Sequence, residues 1–321
     1  MTSATGPLRA TLRAHTERTV PGLSPGLRGR LRWLFRVVSA LSPALAARLA
    51  MRLLLTPISR PIAADEAQFL ATASTRTLTA PSGSVQAYEW PAAPAGEPKP
   101  RTVLVVHGWI SHAARMAEVI RALGNRGLRV VAFDAPAHGR SSGTQADLQD
   151  FRAAITAVIA AMGPVDGVLA HSFGALTTAA WLAEDQPVRV RAAVLVGLMN
   201  DFGHIFDSFT QAMALNAETL TRLRARFHAR YGNYPEEFSA ADLAERLHIP
   251  IMLVHGGGDE IVPASHANEV ARRLRNGQLL IVENLGHSAP LRDAATVAQV
   301  ADFLATWLAL ATPAPHTTNA A

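Results

Sequence analysis

Beyond residue 100 the apolar positions fall into short unbroken runs: RTVLVV, LRVVAF, VDGVLA, RAAVLV, IPIMLV and QLLIV. Runs this short, with no polar alternation, suit strands covered on both faces. Most are separated by enough chain for a crossover helix, which implies a parallel sheet. Between them Phe151, Ile155, Val158, Ile159 and Met162 recur every three or four positions, as do Val297, Val300, Phe303, Leu304 and Trp307. Each set marks one face of a helix. Ahead of the runs, STRTLTA and SVQAYEW flank Pro81-Ser82-Gly83 and predict a hairpin. The proline-rich PAAPAGEPKP, residues 91–100, reads as a surface loop. Strand alternating with helix predicts a doubly wound α/β fold, whose active groups collect at the carboxyl ends of the strands.

The N-terminal region is patterned differently. LRWLFRVVSALSPALAARLAMRLLLTP, residues 31–57, is apolar, but Arg32, Arg36, Arg48 and Arg52 interrupt it and Ser42-Pro43 splits it. Neither piece reaches the roughly 20 apolar residues of a spanning helix. Leu27, Leu31, Leu34, Val38 and Leu41 draw an apolar stripe beside a basic face. Such a helix can lie on a lipid surface. The favoured expectation is that both helices bury their stripes on the α/β domain or on a second subunit. Peripheral membrane contact through residues 27–56 is the less favoured alternative, and a homo-oligomer is left open. A secretory signal fits poorly, because the uncharged stretch from Val37 to Ala47 begins far from Met1. The expected location is cytoplasmic.

Composition narrows the functional classes. With 49% hydrophobic and 17% charged residues, the 321-residue chain has the makings of a large core. The net charge of +5 and pI near 10.5 resemble a nucleic-acid signature, but the arginines are spread along the chain without interleaved aromatics. No nucleic-acid partner is expected. Zero cysteine removes disulfides, thiolate metal sites and a cysteine nucleophile. There is no H-E-x-x-H, and Gly256-Gly257-Gly258 precedes an acid where a phosphate loop would precede a helix. Neither metal nor cofactor is expected.

Candidate chemistry lies at the strand ends. After the first buried run, His107-Gly108 allows a tight turn that makes the backbone amide of Trp109 the best candidate donor to an oxyanion. The next end, FDAPAHGRS, reads as structural, with Asp134 and His138 serving backbone hydrogen bonds. At LAHSFGALTTAAW, residues 169–181, Ser172 sits between a strand and a helix, flanked at two positions by Ala170 and Gly174. Taken alone this is either a nucleophile on a sharp elbow or a turn that caps a helix. HGGGDEIVP and NLGHSAP then supply Asp259 and His287 at successive strand ends. A serine hydroxyl needs a neutral imidazole to take its proton and a carboxylate to fix that imidazole's tautomer.

The order Ser172, Asp259, His287 and the HGW, DxPxHGxS, HSFG, GGxDxxVP and GHS stretches resemble the α/β-hydrolase superfamily from about Thr77 to Leu310. One departure is Ala170, where the family's G-x-S-x-G has glycine. The resemblance implies a mostly parallel eight-stranded sheet flanked by helices. It divides the chain into a basic helical extension at 1–73, a hydrolase domain at 74–312 with a cap insertion at about 198–248, and a flexible tail at 313–321. It further implies Ser172 as nucleophile, His287 as base, Asp259 as its orienting acid, and the backbone N–H groups of Trp109 and Phe173 as oxyanion donors. Asp201 is a rival acid. Within the insertion, Phe202, Phe206, Phe209 and Met213 have helical spacing and are expected to be mostly buried. The expected function is hydrolysis of a small to medium carboxylic ester through an acyl-enzyme. The alternatives are a lipase or thioesterase at a lipid surface, or a hydrolase-fold protein that only binds.

Overall fold

Helices begin and strands end where the hydrophobic period changes and a capping residue or glycine can take up the backbone. The computed structural model describes residues 24–58, 60–92, 100–184 and 190–310. The loop expected over 91–100 lies mostly, and the tail expected over 313–321 wholly, outside them. In chain order the elements are helices α1 (Pro25–Leu41), α2 (Pro43–Leu54) and α3 (Ala64–Leu70), then the hairpin β1 (Ser74–Ala80) and β2 (Gly83–Trp90). There follow β3 (Thr102–Val106), α4 (Ala117–Gly124), β4 (Arg129–Asp134), α5 (Leu148–Met162), β5 (Gly167–His171), α6 (Phe173–Leu182) and β6 (Ala192–Val196). The chain continues through α7 (Gly203–Met213), α8 (Ala217–Tyr231), α9 (Ala240–Ala244), β7 (Ile251–Gly256), α10 (Ser265–Arg273), β8 (Gly277–Val282) and α11 (Ala294–Leu310).

The chain divides into two units. One, residues 55–200 and 239–321, holds an eight-stranded sheet in the order β1-β2-β4-β3-β5-β6-β7-β8. β2 pairs antiparallel with β1 and β4, and every other pair is parallel. This is the fold the resemblance implies. Strands β3, β5, β6 and β7 are buried at every residue, which is why they read as continuous apolar runs with no alternation. At one edge, β1 exposes Ser74 through Thr77 and buries only Leu78 and Ala80, a polar edge that discourages pairing with another chain. Helix α5 starts at a reciprocal cap between Asp147 and Asp150 and buries Phe151, Ala154, Ile155, Val158 and Ile159. Removing a fully buried side chain such as Phe151 costs roughly 3–5 kcal/mol. On α11, Val297, Val300, Phe303 and Leu304 are buried as the spacing predicts, while Trp307 is exposed.

The other unit, residues 1–54 and 201–238, joins the N-terminal helices to the segment inserted between β6 and β7. Helix α2 packs along α8, and α1 packs on α2 and α7. The core here is Phe35, Ala46, Ala47 and Ala50 from the N-terminal helices with Phe206, Phe209, Met213, Leu223 and Phe227 from the insertion. Of the phenylalanines expected to be buried, Phe202 is only partly so and stacks on Phe227 at 5.5 Å between ring centroids. Helix α1 starts at the Ser24 cap with Pro25 in its first turn, ends at Leu41, and is separated from α2 by Ser42 as Ser42-Pro43 predicts.

The stripe expected on α1 is not buried as a whole. Leu31 and Val38 pack against the core of this unit, whereas Leu27, Leu34 and Leu41 are exposed. The buried face is centred on Phe35 and Ser39, one side of the stripe, because the narrow alanine-rich α2 meets α1 there. No helix among the described residues is long and apolar enough to cross a membrane.

Candidate active site

Ser172 occupies the residue between β5 and α6 and takes φ 55°, ψ −122°. A side-chain-bearing residue adopts this backbone only under strain, at a cost of order 1–3 kcal/mol. The surroundings hold it there. Its amide donates to the Val196 carbonyl of β6 at 2.8 Å, and its own carbonyl accepts from Ala175 and Leu176. Small neighbours are obligatory. A Cβ on Gly174 would lie 2.2 Å from the His107 carbonyl oxygen, and one on Gly108 would lie 3.0 Å from Ser172 Cβ. Ala170 is fully buried in β5 between β3 and β6, where its methyl is accommodated.

Three distant segments meet at this elbow. His287 Nε2 lies 2.8 Å from Ser172 Oγ, and His287 Nδ1 lies 2.6 Å from Asp259 Oδ2. Since the carboxylate only accepts, Nδ1 carries the proton, which leaves Nε2 to accept from the serine hydroxyl. Gly197, with φ +60°, lets the ring approach: a Cβ there would sit 3.2 Å from His287 Cε1. The other oxygen of Asp259, Oδ1, accepts from the amides of Ile261 and Val262, both at 2.9 Å. Burial works to raise the Asp259 carboxyl. Hydrogen bonds from His255 and His287, the His287 charge and the Val262 amide outweigh it and hold the group well below the usual carboxylate range.

Asp201, the rival acid, is engaged elsewhere. Its Oδ1 accepts from the His204 amide at 2.9 Å in the first turn of α7. Asp134 is fully buried and accepts from Tyr88 Oη, the Ala113 amide and the Arg140 amide, a structural role as expected. His138 Nδ1 donates to the Pro136 carbonyl at 2.8 Å. Trp109 follows Gly108, which abuts Ser172. Phe173 is the first residue of α6 and directly follows Ser172. Their rings meet edge to face at 5.3 Å.

Two further histidines lie beside the triad: His171, which the sequence suggests as a packing residue, and His255, to which it assigns no role. His255, buried at the end of β7, donates Nε2–H to the Val262 carbonyl at 2.8 Å and reaches Asp259 Oδ2 at 3.3 Å. His171 lies beside the His287 ring, 4.9 Å between centroids, and donates Nε2–H to the His287 carbonyl at 3.2 Å. Burial, reinforced by the neighbouring His287, pushes His171 down to about 3, so it stays neutral. The only signal for His255 was its spacing of four from Asp259 across the HGGGD turn. Replacing His255 with leucine removes a donor from Asp259. The expected result is a loss of roughly 1.5–3 kcal/mol in urea unfolding and a lower kcat at unchanged KM. An unchanged kcat would limit His255 to packing.

A family model for serine aminopeptidases, S33, matches residues 97–239, and one for TAP-like proteins matches residues 231–313. An esterase from Pyrococcus furiosus superposes with a TM-score of 0.59 at 19% identity, over 79% of this chain and 100% of that one, a likeness of fold. The chain belongs to the α/β-hydrolase superfamily. Among its relatives by sequence, a non-heme haloperoxidase of Rhodococcus erythropolis is 26% identical over 251 residues, 61% of this chain and 89% of that protein. A pimeloyl-[acyl-carrier protein] methyl ester esterase of Neisseria meningitidis is 25% identical over 246 residues, 64% of this chain and 77% of that one. Together with the two family models, these relatives support a hydrolase. Among the described residues no three His, Asp or Glu side chains cluster to hold a metal ion.

Proposed function

We propose that the protein is a serine hydrolase that cleaves a carboxylic ester of small to medium size through an acyl-enzyme, with Ser172, His287 and Asp259 as its catalytic triad. The observation that carries this reading is the continuous hydrogen-bonded line from Ser172 Oγ through His287 to Asp259 on a strained elbow. Ser172 Oγ attacks the ester carbonyl carbon as its proton passes to His287 Nε2. The carbonyl oxygen becomes an oxyanion that the backbone N–H groups of Trp109 and Phe173 receive, each worth roughly 2.7–4 kcal/mol in comparable sites. His287 then protonates the departing alkoxide, leaving the acyl group on Ser172. A water molecule, deprotonated by His287, attacks that acyl carbon; His287 then returns the proton to Ser172 Oγ as its bond to the acyl carbon breaks, releasing the carboxylic acid and restoring the serine hydroxyl. Asp259 keeps the imidazole in the required tautomer and stabilises its protonated form.

The named activity of the Neisseria relative, on a methyl ester, supports an ester as the substrate class. A fluorophosphonate probe tests the nucleophile, and p-nitrophenyl esters of increasing acyl length test the size. Labelling of the folded protein with fastest turnover of short acyl chains is the expected result. Preference for long chains would favour a lipase. No labelling would leave a protein that only binds.

A further inference from the structure

Nine large apolar side chains stand out as exposed among the described residues, and seven of them lie on α1 and α2: Leu27, Trp33, Leu34, Val37, Leu41, Leu45 and Leu49. Trp33 is 67% and Leu41 81% accessible. At 100° per residue the five on α1 share one sector about 120° wide. A different side of the helix, with Leu31, Phe35 and Val38, faces the core of its unit. Arg32 and Arg36 line a third side. On α2, Leu45 and Leu49 are exposed beside Arg48 and Arg52. So the packing of α1 and α2 onto the insertion helices leaves an apolar ridge facing water.

The charge around the ridge selects its occupant. The two helices carry six arginines, at 28, 30, 32, 36, 48 and 52, and no Asp or Glu. A second copy of this face would oppose arginine to arginine. Residues 1–23 add Arg9, Arg13 and Arg18 against a single acid, Glu17, and so do not complement it either. A surface that is apolar within and negative at its boundary matches both properties: leucines and tryptophan enter the acyl and headgroup boundary while arginines extend to phosphate. We propose that α1 and α2 form a docking surface for an anionic phospholipid bilayer, with Trp33 and Leu41 as the apolar anchors and the arginines as the headgroup contacts. The protein lies on the membrane and does not span it. This departs from the expectation that both stripes would be consumed by docking.

Flotation of the full-length protein tests this, with vesicles of phosphatidylcholine alone and of phosphatidylcholine mixed with phosphatidylglycerol. Binding to the anionic vesicles is expected, weakening with added salt and falling about fivefold for each arginine removed in Arg32→Gln and Arg36→Gln. The paired substitution Trp33→Ser and Leu41→Ser is expected to lower binding by roughly a hundredfold. Both positions are exposed, so circular dichroism and hydrolysis of a water-soluble ester should match the parent. Three results would overturn the proposal. They are no vesicle binding, binding that ignores lipid charge, or a dimer in analytical ultracentrifugation that Trp33→Ser and Leu41→Ser abolish.

Discussion

Replacing Ser172 with alanine lowers kcat for a p-nitrophenyl ester by roughly 10⁴–10⁶-fold and abolishes fluorophosphonate labelling. The loss is not total, because substrate binding and the oxyanion donors still act on attack by water. Alanine keeps Cβ and therefore the strained backbone at φ 55°. Glycine at 172 removes the same hydroxyl but relaxes that backbone, so Ser172→Gly should be equally inactive and more stable than Ser172→Ala by about 1 kcal/mol in urea unfolding. The pair separates two roles of one residue: the hydroxyl as the proposed nucleophile, and the backbone as the elbow. An alanine variant that is still labelled would place the reactive group elsewhere. Equal stability of the two variants would remove the strain.

Stability falls steeply as pH drops from about 6.5 toward 5, before the carboxylates titrate. Burial pushes His107 down to about 4, and burial with repulsion from His107 pushes His138 down to about 3. His171, described above, lies near 3 as well. Each is neutral in the fold yet takes up a proton in the unfolded chain near pH 6.5. The unfolded state therefore binds more protons through this window, and stability rises with pH across it and is fully present above it. The slope is about 1.4 kcal/mol per pH unit for each histidine, or roughly 4 for the three together. Asp259 works in a lower window. Its depressed carboxyl contributes stability above the ordinary carboxylate range that is lost only as pH falls below about 4. Urea unfolding at pH 7, 6 and 5 measures the slope, and His138→Gln should flatten it by about one third. A flat profile from pH 7 to 5 would show that these rings titrate as they do in water.

Much of the site was legible because its parts are local. Ser172 announces itself through its small neighbours and through the change from strand to helix across it. His287 and Asp259 announce themselves as strand-end residues after buried runs. The choice between Asp259 and Asp201 was less local. Both end buried strands, and only the positions of the acceptors show that Asp201 serves its own helix while Asp259 faces the imidazole. The contact of His171 was out of reach for a similar reason: it donates to the His287 carbonyl, whose location depends on sheet order, and neither spacing nor composition reports that order. His255 bonds within its own strand end, where its spacing of four from Asp259 was the one signal. The aromatic packing of Trp109 on His138 and Phe173 likewise joins three strand ends that are far apart in the chain.

For this protein the sequence by itself determined the strands, the helices, the parallel sheet and the three side chains that meet beyond the carboxyl ends of its strands. Hydrophobic period and glycine placement act over a few residues and express themselves in any fold that contains them. Tertiary structure alone decided where the two N-terminal helices go. An amphipathic stripe says that a face avoids water, but not what covers it. On α1 the alanine-rich surface of α2 and the phenylalanines of α7 and α8 took Leu31, Phe35 and Val38, and left Leu27, Trp33, Leu34 and Leu41 outside. That partition rests on side-chain shape across chain segments more than a hundred residues apart, and close packing is the one property no short stretch of sequence carries.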